Sequence, residues 1–268
     1  MDFEYLFELL CGGVVKGSIY ALIALGYTMV YGIIQLINFA HGEVYMIGAF
    51  VAFIVAGIMT LTGYSGMSVL VLAAIVAVIY AAAYGYTLEK IAYRPLRKAP
   101  RLSPLISAIG ASIFLMNYVQ LAQTPDFLPF PELVTDFEFL EPISRYMSSV
   151  DVVILAVTAV TMTALTVLIK YTKIGKAMRA TQQDQVMARL VGINVDRVIS
   201  ATFIIGSVLA AIGGVLIASR TGQINSAIGF MAGLKAFTAA VLGGIGNIPG
   251  AVLGGLVLGI AETLQHRF

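Results

Sequence analysis

Eight stretches of this chain run for about twenty residues with almost no charge, and that pattern constrains the fold more than any other feature. The hydrocarbon core of a bilayer is about 30 Å thick, and a helix crosses it in about twenty apolar residues. No water there can satisfy a backbone amide or carbonyl, so each spanning segment must pair its own. The stretches lie near 6–33, 44–62, 67–88, 102–122, 150–169, 198–219, 230–245 and 248–264. Composition agrees: 59% of the 268 residues are hydrophobic and 11% are charged, where a soluble domain carries about 25% charged residues. A surface so poor in charge cannot face water on all sides. The expected fold is all-α, a polytopic transmembrane helical bundle of about eight membrane segments, one domain over 1–268 with no soluble domain.

Two of these segments are irregular. The first is long and carries Lys16-Gly17-Ser18, so its upper part reads as an interfacial piece. The seventh is short, contains Lys235 and runs into Gly243-Gly244-Ile245-Gly246-Asn247-Ile248-Pro249-Gly250. The last two therefore read as two spans or as one broken, re-entrant element, whose freed backbone groups are satisfied inside the protein. Asp2, Glu4 and Glu8 precede any basic residue. A cleaved signal peptide opens with a basic region, so the first segment is expected to remain as an anchor.

Charge placement orients the bundle; the net charge of +2 does not. Residues 88–101 carry Lys90, Arg94, Arg97, Lys98 and Arg101 against Glu89. The 170–197 loop carries Lys170, Lys173, Lys176, Arg179, Arg189 and Arg197 against Asp184 and Asp196. In 122–151 the balance reverses, with Asp126, Glu132, Asp136, Glu138, Glu141 and Asp151 against Arg145. Two spans separate the basic loops, so both can be cytoplasmic while the acidic loop and the N-terminus face out. The outer loop 123–149, with Pro125, Pro129, Pro131 and Pro142, is too small for a substrate-binding domain. No repeat or low-complexity tract divides the chain.

Within 170–197 lies one amphipathic pattern. Thr181 and Asp184 have the spacing of a capping box, with Thr181 as N-cap. Val186, Met187, Leu190 and Val191 then share one helical face, beside Arg189, and Gly192 suits the left-handed position that ends a helix. Such a helix lies on anionic membrane lipid or docks in a groove of a cytoplasmic partner. Docking is preferred, because the basic cluster Lys170–Arg179 alone suffices to hold lipid.

Other polar residues sit near or inside the spans. Asn38-Phe39-Ala40-His41-Gly42-Glu43 joins spans one and two at the membrane boundary. It reads as a helix start, with Asn38 as cap and Glu43 complementing the dipole, or else as an inner gate or proton relay. Lys16, Lys235 and Glu262 are ionisable groups within spans, which line a path or reach the interface. Whether Glu262 meets Lys235 or Lys16 is open. Glycines crowd 206–259, and Gly250-Ala251-Val252-Leu253-Gly254 has the spacing that lets membrane helices touch closely. A hinge for alternating access is the functional version of the same feature.

Several chemistries are missing from the sequence. Cys11 is a lone cysteine, and His41 and His266 are the sole histidines, too few for a zinc site of the usual kind. No phosphate-cradling glycine loop, nucleophile elbow or HExxH pattern occurs, and nothing favours nucleic-acid binding. No residue is assigned a catalytic, cofactor or metal role, and the chain is not expected to be an enzyme. Energy for active transport would come from an ion gradient or another subunit.

Three blocks carry a resemblance. They are Gly17-Ser18-Ile19-Tyr20-Ala21-Leu22 through Ile37-Asn38-Phe39-Ala40-His41-Gly42-Glu43; Gly175-Lys176-Ala177-Met178-Arg179-Ala180 with Leu190-Val191-Gly192-Ile193-Asn194; and Gly229-Phe230-Met231 through Lys235-Ala236-Phe237-Thr238-Ala239-Ala240-Val241-Leu242-Gly243-Gly244-Ile245-Gly246. In this order, over essentially the whole chain, they resemble the permeases of bacterial high-affinity branched-chain amino acid ABC importers. The resemblance implies a multi-pass inner (plasma) membrane permease forming half of a path for leucine, isoleucine and valine. It further implies a second homologous permease, two cytoplasmic ATP-binding subunits that use the ATP, and a periplasmic branched-chain amino acid binding protein. The match to the ATPase-coupling helix of such importers is Thr181–Gly192, while the glutamate-alanine-alanine motif of many other ABC importers is absent. The family continues some tens of residues further, through another apolar segment, so the chain is expected to be truncated at its C-terminus. The competing class is an ion-coupled secondary transporter of a small zwitterionic solute, working through Glu43, His41 or Glu262.

Overall fold

In the computed structural model, which describes residues 3–97, 99–100, 102–136 and 146–265, the apolar stretches are helices and two short strands join their ends. The helices are α1 (Phe3–Ile34), α2 (His41–Leu61), α3 (Met67–Leu88), α4 (Leu102–Ala122), α5 (Ser149–Tyr171), α6 (Lys173–Gln183), α7 (Gln185–Leu190), α8 (Val195–Thr221), α9 (Ile228–Leu242) and α10 (Ile248–Gln265). The strands are β1 (Leu128–Pro129) and β2 (Gln223–Ile224). Asp2, Lys98, Arg101, Glu138, Glu141, Pro142, Arg145 and His266, weighed above, lie outside the described residues.

Among the described residues, seven helices are long and apolar enough to cross a bilayer. α9 is not one of them: its 15 residues extend about 22 Å at 1.5 Å per residue, short of a span. No break sets off a separate piece at the head of the first segment. α1 is a continuous helix of 32 residues, and Lys16 lies inside it.

Local sequence sets several boundaries. Ser148 and Asp151 form a reciprocal cap at the start of α5: the Asp151 amide donates to Ser148 Oγ and the Ser148 amide to Asp151 Oδ2, both 3.2 Å. Asn194 Oδ1 accepts from the Arg197 amide at the start of α8, and Gly222, with φ +65°, closes that helix. α3 runs on past Leu88 through a wide π-type turn over Glu89–Tyr93 and a tight turn over Arg94–Leu96. That wide turn aims Tyr93 inward, onto Phe203.

Small residues decide which helices form the centre. Two thirds of the most apolar window of α1 and of α8 is buried, against 17% for α5. The most extensive helix pairing is α1 with α10. A Cβ on Gly17 would lie 2.7 Å from Leu256 Cα, and Gly259 has the Gly17 backbone against it in the same way. At these glycines the contact is backbone on backbone, which only small residues permit. Around this centre α3, α4 and α5 turn apolar side chains outward, among them Ile75, Ile79, Ile113, Phe114 and Val160. In a bilayer these face lipid or another membrane helix.

The two ends of the bundle differ in charge as the loops foretold. At one end Arg94 and Arg97 reach Asp196, at 3.3 and 2.5 Å, so the two basic loops meet. Arg97 also pairs with the buried Glu89, which accepts from Ser200 Oγ at 2.7 Å. At the opposite end β1 pairs with β2, Arg220 bonds Asp151 at 2.9 Å, and Phe7 packs on Tyr146. The start of α1 and the acidic loop therefore share an end.

Candidate functional site

Polar and exposed apolar residues concentrate in three places: the α6–α7 arm, the turn from α1 into α2, and an ion-paired cluster on α1, α9 and α10.

The arm is built differently from the single capped helix read in the sequence. Thr172, not Thr181, caps α6, accepting from the Gly175 amide at 3.1 Å. Thr181 lies buried within α6, its hydroxyl turned back to the Ala177 carbonyl. Asp184 is the N-cap of α7 itself, its Oδ1 accepting from the Val186 and Met187 amides at 2.7 and 3.0 Å. The spacing of Thr181 and Asp184 misled because Asp184, in extended conformation, breaks one helix and starts the next. The far end follows expectation: Gly192 has φ +87°, with the Ile193 amide bonded to Ala188 and the Gly192 amide to Arg189. That is the hydrogen-bond pattern of a Schellman terminus. Val186, Met187, Leu190 and Val191 are 61–75% exposed, and Arg189 lies exposed among them. A six-residue helix this exposed is held by its neighbours, since isolated short helices are marginal in water.

What holds it was not legible beforehand. Gln185 Nε2 donates to the Ile33 carbonyl in the last turn of α1 at 2.7 Å. Gln182 Nε2 reaches the Gly246 carbonyl, between α9 and α10, at 3.5 Å. Arg179 donates to the Ile169 carbonyl of α5. Each arm residue thus satisfies a carbonyl at a helix end or turn, where intrahelical partners run out. A small cleft beneath the arm is lined by Thr28, Met178, Arg179, Gln182 and Gly246.

The turn into α2 departs from its expected place and cap. Gln35, with φ +53°, ends α1 and sends the chain back into the bundle. His41 Nε2 donates to the Ile23 carbonyl at 3.2 Å. Ile23 lies eleven residues before the end of α1, about 16 Å along its axis. The segment therefore sits deep in the bundle rather than at the membrane boundary. Asn38 is not the cap: Ala40 holds that position with no side-chain bond, while Asn38 Oδ1 accepts from the Tyr93 hydroxyl at 2.8 Å. Glu43 does lie in the first turn of α2, fully buried, with Oε1 accepting from Ser112 Oγ at 3.0 Å. Glu43 Oε2 has no partner among the described residues. Gly26 and Gly206 flank the His41 ring, and Gly42 touches Gly229 and Gly233 of α9, so the starts of α2 and α9 meet here.

In the third place Glu262 meets both lysines. Lys235 Nζ lies 2.9 Å and Lys16 Nζ 3.6 Å from Glu262 Oε1, and the Tyr20 hydroxyl donates to Oε2 at 2.8 Å. Tyr20 and Ser112 were missed because single polar residues in apolar runs carry no periodic mark, and Tyr93, Gln182 and Gln185 because nothing in a polar loop marks which side chain turns inward. Glu89 did carry a signal, being the one acid in a basic loop.

Helices of spanning length and charged ends of opposite sign define a polytopic membrane protein. A family model described as "Branched-chain amino acid transport system / permease component" matches residues 9–267, and the chain belongs to that family. The high-affinity branched-chain amino acid transport system permease protein LivH of Escherichia coli (strain K12) is 51% identical over 271 residues, covering 100% of this chain and 88% of that protein. BraD, the permease protein of the same description from Pseudomonas aeruginosa, is 50% identical over 265 residues, covering 97% of this chain and 86% of its own length. The xylose transport system permease protein XylH of Escherichia coli (strain K12) is 36% identical over 93 residues, 32% of this chain. No solved structure matches. The chain is thus a multi-pass membrane permease, a component of a transport system, in a class that is not enzymatic. An ion-coupled carrier acting alone is not favoured.

Proposed function

We propose that this chain is the permease subunit of an ABC importer in the bacterial inner membrane. It forms half of the path for leucine, isoleucine and valine, opposite a second homologous permease. ATP is hydrolysed by two cytoplasmic ATP-binding subunits, and substrate arrives on a periplasmic binding protein. The basic end is the cytoplasmic one, by the excess of lysine and arginine there.

One observation carries the reading. α7 offers four exposed apolar side chains to water at the basic end, while Gln182 and Gln185 tie the same arm to α1 and to the α9–α10 turn. A short amphipathic helix docks such a face in a groove of a partner, and the ties pass its movement inward. Asp184 and Gly192 set the ends of this lever, Val186, Met187, Leu190 and Val191 its gripping face, and Arg189 its charged rim. Thr181 belongs to the supporting helix α6. Asn38, His41 and Glu43, buried where α2 meets α9, suit a pivot for the gate. Lys235 and Glu262, partly exposed, suit the path itself.

Val186→Asp together with Leu190→Asp tests this in cells co-expressing the whole system. The amount of permease is expected to hold, while the ATP-binding subunit recovered with it falls about tenfold or more, because two buried charges in the groove go unpaired. Undiminished recovery, or coupled uptake by the purified chain without ATP, sinks the proposal.

A further inference from the structure

We propose that Lys235 and Lys16 form an anion station within the membrane that takes the α-carboxylate of the transported amino acid. The proposal rests on reading the chain as an amino acid permease and adds where that path grips its substrate.

The argument begins with charge. Three membrane-embedded helices contribute two ammonium groups and one carboxylate to one cluster, Lys16 from α1, Lys235 from α9 and Glu262 from α10. Lys235 also donates to the Tyr20 hydroxyl at 3.4 Å, and that hydroxyl is neutral. Among the described residues, these three groups leave one positive charge over. Charged groups at this depth face a water-filled cavity or one another, and the lysines are not sealed in: their side chains are 31% and 37% exposed, on one surface of the chain.

Geometry adds the rest. Glu262 Oε1 accepts a hydrogen bond from Lys235 and lies 3.6 Å from the Lys16 ammonium as an ion pair, so Lys16 in particular has donors to spare. Met231 stands one helical turn before Lys235 on the same face of α9 and is exposed, with Leu234 beside it. A cation next to open aliphatic surface, with a carboxylate within reach, matches the parts of a zwitterion bearing a branched apolar side chain. The carboxylate would share the ammonium groups, the α-ammonium would face Glu262, and the side chain would lie along Met231 and Leu234. A simple Lys–Glu ion pair holding two helices needs one lysine.

The complete importer in phosphatidylglycerol vesicles, fed leucine on its binding protein, tests this. Lys235→Gln and Lys16→Gln each leave one lysine for Glu262. Each is expected to lower leucine uptake about tenfold, as expected for losing one charge-assisted hydrogen bond. Lys235→Arg is expected to stay within about threefold of the parent, since it keeps charge and donors. Uptake at the parent rate by both glutamine variants overturns the proposal. A defect that vanishes in phosphatidylcholine vesicles also overturns it, assigning the lysines to lipid phosphate. Should the variants fail to assemble, the parent complex decides. Excess 4-methylpentanoate, which has the carboxylate and no amine to consume the reagent, is expected to slow acylation of Lys235 by an amine reagent, whereas 4-methylpentan-1-ol, lacking the carboxylate, is not. Equal protection by both, or by neither, overturns the station. Absence of leucine uptake by the parent complex would sink the permease reading itself.

Discussion

The α6–α7 arm and the turn from α1 into α2 are both short polar interruptions between spans, yet they are built in opposite ways. At the turn, polar side chains are inside: Asn38, His41 and Glu43 are buried and bonded to Tyr93, the Ile23 carbonyl and Ser112. In the arm, apolar side chains of α7 are outside and the bonds run from two glutamines, Gln182 of α6 and Gln185 of α7, to backbone carbonyls. A buried polar group without a partner costs more than an exposed apolar one. The first region is therefore committed to the fold, and the second is left available for a contact outside the chain. Damage to the turn should appear as lost stability, and damage to the arm as lost coupling.

The largest effect is expected where backbones touch. Gly259→Val places a branched side chain against the Gly17 backbone and is expected to lower stability by about 3 kcal/mol, at the upper end of overpacking penalties. Unfolding of the purified protein in mixed micelles measures it. A change below about 0.5 kcal/mol would show that the α1–α10 seam can open freely. Next is Ser112→Ala, which removes the hydrogen bond to Glu43. It is expected to cost about 1–3 kcal/mol, because a buried carboxyl loses its donor. The same substitution in a Glu43→Ala background is expected to cost less, since the acceptor is already gone. An equal cost in both backgrounds would show that the bond is not what holds α4 to α2. Smallest in stability is Gln185→Ala, within about 1 kcal/mol, because the Ile33 carbonyl sits at a helix end. Its effect should show instead in leucine carried per ATP hydrolysed, down roughly fivefold for a coupling term of about 1 kcal/mol. An unchanged ratio would remove Gln185 from the transmission.

Much of this was legible in the sequence, and the rest failed for identifiable reasons. Span positions follow from apolar length, and the shared end of the two basic loops from their charge. The exposed face of α7 and the left-handed Gly192 follow from helical periodicity and glycine. Thr181 was misplaced because capping-box spacing cannot tell a helix start from two helices abutting at Asp184. Asn38 was misread as a cap, and its segment put at the boundary, because no local signal shows a chain turning back beside Ile23. The meeting of Lys16 and Lys235 on Glu262 depends on which helices pack together, and pairing between distant segments leaves no local trace.

The glycine seam between α1 and α10 has one more consequence. Ile33, where the arm takes hold, lies seventeen residues from Lys16 on a single unbroken helix, about 26 Å away. Where Gly17 and Ala21 meet Gly255 and Gly259, the two backbones touch with no long side chain between them to flex. If the arm is the lever proposed above, the pair would act as a drawbar without play, and a tug at the arm would shift the charged site in the same stroke.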